Sequence, residues 1–133
     1  GFKGNPDNAA EDFEKVALYC KNSEGLGLGY KDCSNLAMKV AIAGENFKEE
    51  VGEVFIKLYE FISQDENGPQ LTVSESLKTA SDLISNGPTT FKNFKTAFIY
   101  GMSKDGLDLP KKQALDLAIK LASRSSLEVP GKS

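Results

Sequence analysis

The sequence predicts an all-α fold of three tandem helical hairpins, arranged either as a short superhelix or as a six-helix bundle. Three observations carry this. Apolar residues recur at three- and four-residue spacing through most of the chain. No stretch alternates with period two for long enough to make a strand; Val73 and its neighbours come nearest and are too few. At a shift of 81 residues the segment 13–41 matches 94–122 without a gap, with ten identities in 29 positions, against about two expected from average residue usage.

The first helix is expected over 8–21, with a stripe of Ala9, Phe13, Val16, Ala17 and Cys20. Asp7 is its expected N-cap, with Glu11 and Asp12 near the positive end of its dipole. The second covers 32–43 and places Cys33, Leu36, Ala37, Val40 and Ala41 on one face; Gly44 suits a C′ position of positive φ. The third is expected to start after Asn46, which with Glu49 resembles a capping box. Its apolar face is Phe47, Val51, Val54, Phe55, Leu58, Phe61 and Ile62, and residues 64–69 break it.

Thr72 and Glu75 form a second candidate box, ahead of a fourth helix carrying Leu77, Ala80, Leu83 and Ile84 and ending at Asn86-Gly87-Pro88. The fifth, 90–103, buries Phe91, Phe94, Phe98 and Met102. The sixth begins near Pro110, where proline is tolerated in a first turn, and its stripe is Ala114, Leu117, Ala118, Leu121 and Ala122.

These helices fall into one domain, 1–124, with repeats at about 8–44, 47–86 and 90–124, followed by a flexible tail at 125–133. The central copy fits the frame with a two-residue insertion. Val54, Leu58, Ile62 and Ser63 then oppose Phe94, Phe98, Met102 and Ser103, and Gly68, Leu71 and Ala80 oppose Gly106, Leu109 and Ala118. The unit is helix, Gly-x-x-Leu loop, helix. Its glycine is expected to leave the first helix with positive φ, and its leucine to fold inward over the hairpin end. A single hairpin cannot bury its apolar face, so successive copies must stack. The period and hairpin form resemble HEAT or armadillo repeats, but the residue signatures of both are missing and no functional residue carries over.

Composition excludes much chemistry. The 133 residues are 40% hydrophobic and 26% charged, which is ordinary globular usage. There is no histidine, so Ser-His-Asp and Cys-His catalysis and the usual zinc sites are ruled out. Arg124 is the lone arginine, a poor supply for bidentate phosphate recognition. Gly25-Leu-Gly-Leu-Gly29 follows no strand and precedes no Lys-Ser/Thr, so it does not read as a phosphate cradle. The loop 103–109 lacks the acidic series of a calcium loop, and Glu49, Glu50 and Glu53 read as a solvated helix face. No enzymatic activity, metal or cofactor is expected. The phenylalanines Phe13, Phe55, Phe91, Phe94 and Phe98 read as core.

Cys20 aligns with Gly101 and Cys33 with Ala114, small residues on the two helices of one hairpin. That placement predicts a Cys20–Cys33 disulfide and hence an oxidising compartment. Gly1 reads as a residue left by tag cleavage, with a signal or lipoprotein segment removed. Together these suggest an exported protein of the bacterial periplasm or envelope.

Charge is uneven. Residues 1–66 hold seven basic and thirteen acidic groups; residues 67–133 hold nine basic and six acidic. Lys104, Lys111 and Lys112 cluster around the last hairpin loop, where the helix dipole does not favour them. They are the expected contact for an acidic protein partner. Overall acidity and the single arginine argue against nucleic acid, and no apolar run is long enough to span a bilayer. The function expected is a non-enzymatic exported scaffold or protein-binding module. The alternative is a helical carrier of a small apolar ligand.

Overall fold

A computed structural model describes residues 6–22, 28–47 and 49–123, and the side chains from Ala9 onward. The glycines at 25–27, Arg124 and the expected tail lie outside the described residues, as does Gly1. Six α-helices and no strand occur among the described residues: α1 Pro6–Asn22, α2 Tyr30–Gly44, α3 Gly52–Ser63, α4 Val73–Leu83, α5 Thr90–Met102 and α6 Lys111–Ser123. A 3₁₀ turn, Ile84–Asn86, extends α4.

The helices pair as α1/α2, α3/α4 and α5/α6, and the hairpins stack in order. α1 packs on α3 and α3 on α5; α2 packs on α4 and α4 on α6. The first and third hairpins touch each other at most marginally. The result is a two-layer linear array, in which each hairpin is buried by its neighbours. Its core holds Phe55, Leu58, Ile62, Phe94 and Phe98 from the odd layer, and Ala37, Val40, Ala80, Ala114 and Ala118 from the even layer. Alanine at these even positions lets helix backbones approach.

The second and third loops are alike in detail. Asn67 N–H donates to Asp65 Oδ1, and Asp105 N–H to Ser103 Oγ. Gly68 N–H donates to the Asp65 carbonyl and Gly106 N–H to that of Ser103. Left-handed backbone falls on Gln70 (φ 55°) and Asp108 (φ 52°), not on the glycines. The expectation of positive φ at the loop glycine is therefore corrected. Glycine is required because a Cβ on Gly68 would run into the Phe61 carbonyl, and one on Gly106 into the Tyr100 carbonyl. Leu71 and Leu109, each half-buried, then return their amides to the carbonyls of Ile62 and Gly101.

That last pair of bonds also corrects the repeat register. Ile62 opposes Gly101, not Met102, so α3 matches α5 at a shift of 39 and the loops match at 38. Burial agrees: Val51, Phe55, Leu58 and Tyr59 oppose Thr90, Phe94, Ala97 and Phe98, all buried. The insertion is one residue, at the end of α3, rather than two. α3 is apolar over so broad a face that two registers fit by residue type alone. Met102, expected inside, is consequently exposed.

Thr72 and Glu75 form the capping box expected for α4: Glu75 N–H donates to Thr72 Oγ1, and Thr72 N–H to Glu75 Oε1. Two other caps differ from expectation. α1 begins at Pro6, so Asp7 lies in its first turn. α3 begins at Gly52, five residues later than expected, and Asn46 and Glu49 do not cap it. Asp12 does. Buried on α1, it accepts from the amides of Val51 (3.1 Å) and Gly52 (2.9 Å) through Oδ1. It therefore serves the dipole of α3 rather than that of α1. This explains Gly44 as well: it ends α2 in ordinary helical geometry, and a Cβ there would overlap Asp12 Oδ2. Among the described residues the glycine with positive φ is Gly87 (φ 104°), packed against the Phe47 ring.

Candidate functional site

α1 and α2 are joined covalently. Cys20 and Cys33 form a disulfide between them with a Cα–Cα distance of 5.8 Å, and both cysteines are buried. The equivalent pair in the third hairpin is Gly101 and Ala114, where a Cβ on Gly101 would stand 3.2 Å from that of Ala114. The same close approach is thus bridged in one copy and merely packed in the other. The disulfide closes a short loop, worth about 3 kcal/mol in the chain-entropy model. The Cys20→Ser/Cys33→Ser double variant should unfold at correspondingly lower urea, with unfolding reported by far-UV circular dichroism. Equal midpoints for the two proteins would show that packing alone holds the hairpin.

Beside this bridge lies an apolar groove of roughly 620 Å³ on the side of the first hairpin away from the second. Phe13, Ala17 and Leu18 from α1, Leu28 just before α2 and Tyr30 at its start line it, as do Glu14 and Lys21. Tyr30 is 89% exposed, an unusual state for an aromatic side chain. The repeat register explains the groove. Position 17 corresponds to Tyr59 in the second hairpin and Phe98 in the third, both buried rings. Alanine at this position removes the ring and leaves a recess.

In the third hairpin the same face is filled. The ring of Phe61 lies edge-on to Phe91, Phe94 and Phe98, with centroids 6.3, 6.0 and 6.1 Å away. In the second hairpin it is filled by Tyr19, edge-on to Tyr59 at 6.3 Å and donating its hydroxyl to Glu60 Oε2 at 3.0 Å. Tyr19, Phe61 and Tyr100 are equivalent positions. Each of the first two reaches into the following hairpin.

Of the expected basic contacts, Lys104, Lys111 and Lys112 are all exposed. The Lys111 ammonium also donates to the Pro69 carbonyl at 3.1 Å and ties the third hairpin to the loop of the second. A charge reversal at Lys111 would therefore disturb packing, and Lys112 is the cleaner surface probe. Lys95 lies over the Phe61 and Phe91 rings at 5.9 and 5.7 Å, a cation–π arrangement that shields the seam between α3 and α5.

Among the described residues no group of three or more His, Cys, Asp and Glu side chains is placed to hold a metal ion. No helix among them is long and apolar enough to cross a membrane. The chain matches no protein-family model, no curated protein and no solved structure. The groove was missed in the sequence, although its signal was there: alanine at position 17 opposes phenylalanine at position 98 in the repeat alignment.

Proposed function

We propose that this chain is a non-enzymatic, exported protein-binding module whose groove on the first hairpin receives an apolar helical edge of a partner. One observation carries the reading. The same face holds a neighbouring hairpin's aromatic side chain in the second and third copies, and in the first it stands open beside Tyr30. A surface shaped by repetition to receive a helix hairpin suits a protein better than a free small molecule. The buried disulfide supports export, since such bonds persist in oxidising compartments. The exposed Lys104 and Lys112 suit an acidic surface on the partner.

The groove's volume also falls within the range of small-molecule sites, which supports the second reading, a carrier of an apolar ligand. The two separate in one preparation. A photo-crosslinking residue at position 18 should yield a discrete protein adduct in the native extract. Mass spectrometry of an organic extract of the purified protein should show no stoichiometric lipid or other apolar compound. A one-to-one apolar ligand, with no protein adduct, would favour the carrier and overturn the binding module.

A further inference from the structure

Among the described residues, the outer face of the third hairpin matches the groove. Tyr100 is 55% exposed, Leu107 48% and Leu121 46%. Their equivalents in the second hairpin are Phe61, Pro69 and Leu83, all buried; Phe61 meets rings of the third hairpin and the Pro69 carbonyl accepts from Lys111. In the first hairpin, Val40 at the position of Leu121 is likewise buried. Among the described residues, the third hairpin keeps an aromatic ring and two leucines exposed at the positions that join one hairpin to the next.

We propose that the third hairpin of one copy docks on the first hairpin of a second copy, head to tail, with Tyr100 entering the groove. The occupant follows from the internal contacts. Tyr19 meets Tyr59 and Glu60 in the hairpin after it. Advancing one repeat, and then starting again at the first, places Tyr100 against positions 17 and 18. Ala17 and Leu18 line the groove. The relation that stacks hairpin on hairpin within the chain, applied once more, continues the array into the next copy. The charges do not oppose it: residues 90–124 carry seven basic and three acidic groups, and the first hairpin, 8–44, carries four basic and five acidic. The contact is heterologous, so it builds rings or open chains rather than a two-fold dimer.

This inference rests on the groove being a protein-binding surface, and the test separates the two. In sedimentation velocity of the full oxidised chain, average mass should rise with concentration past that of a dimer. Leu18→Lys should spoil the groove and Tyr100→Glu the docking edge, each giving a monomer with unchanged circular dichroism, since both sites are exposed. Mixed together, the two variants should form a dimer and nothing larger, because one intact groove and one intact edge remain. A wild-type monomer at every concentration, association indifferent to both substitutions, or a mixture that stays monomeric would each overturn self-association. If the monomer still gives a protein adduct at position 18, the groove reading survives alone; if it gives none, both fall.

Discussion

Replacing Phe61 by alanine is expected to lower stability by about 3–5 kcal/mol, the range for truncating a fully packed phenylalanine. The ring is 3% exposed and touches three rings of the third hairpin. Its loss removes more than area. In a linear array stability is roughly the sum of repeat terms and nearest-neighbour interfaces, and Phe61 is the centre of one of only two such interfaces. The third hairpin should then unfold ahead of the first two. Urea titration followed by far-UV circular dichroism would show this as a broadened or two-step transition, while Phe61→Leu should keep a single step at intermediate stability. A single sharp transition displaced by under about 1 kcal/mol in the alanine variant would show that the α4–α6 layer, not this ring, couples the hairpins.

Asp12→Ala is expected to cost about 2–4 kcal/mol. It leaves the Val51 and Gly52 amides at the start of α3 buried without an acceptor. Asp12→Asn keeps an acceptor oxygen and should cost less, and the comparison of wild type with this variant isolates the charge. Burial disfavours the ionised form and raises the Asp12 pKa above the ordinary aspartate value, against the opposing pull of the Gly52 and Val51 amides. The folded chain therefore holds this proton more tightly than the unfolded chain. The stability it contributes is fully present below the unfolded pKa and is lost as pH rises through the higher folded pKa. Wild type should lose ground to Asp12→Asn as pH rises across that window and run parallel to it above. A difference that stays constant, or that grows in favour of wild type, would sink this account.

Asp82 has the opposite sign. Burial pushes it up, but hydrogen bonds from Lys78 and Lys39 prevail and hold it below the ordinary value. Its contribution is present above the unfolded pKa and is lost as pH falls through the folded one. Being half-exposed, this pairing of α2 with α4 adds little.

What the sequence revealed and what it hid divide along one physical line. The helices, the Thr72–Glu75 box and the repeat were legible because their signals are local or are self-similar within the chain. The start of α3 was not, because its cap comes from Asp12, some forty residues earlier. Asn46 and Glu49 have the right spacing for a cap, and tertiary structure overrides them. Gly44, Gly68 and Gly106 could be seen to matter, but the reason was invisible: each makes room for an oxygen, from Asp12 or from a helix-end carbonyl. The candidate site was half legible. Cys20 and Cys33 were found by aligning them with small residues, and the same alignment held the Ala17 clue. Tyr30 and Tyr100 are exposed on the outer faces of the first and third hairpins, which no local pattern records.

The order of contacts gives this fold a direction in time. In the oxidised chain the ends of the first hairpin are already held together before any helix packs, so closing it costs little further entropy. Asp12 is then in place to receive the amides that begin α3, and only a settled α3 presents Phe61 to α5. The first and third hairpins touch each other at most marginally, so each addition is a search against one neighbouring hairpin. Folding of the oxidised protein should advance from the N-terminal hairpin outward, and reduction removes the preformed starting point while leaving every later step as it was.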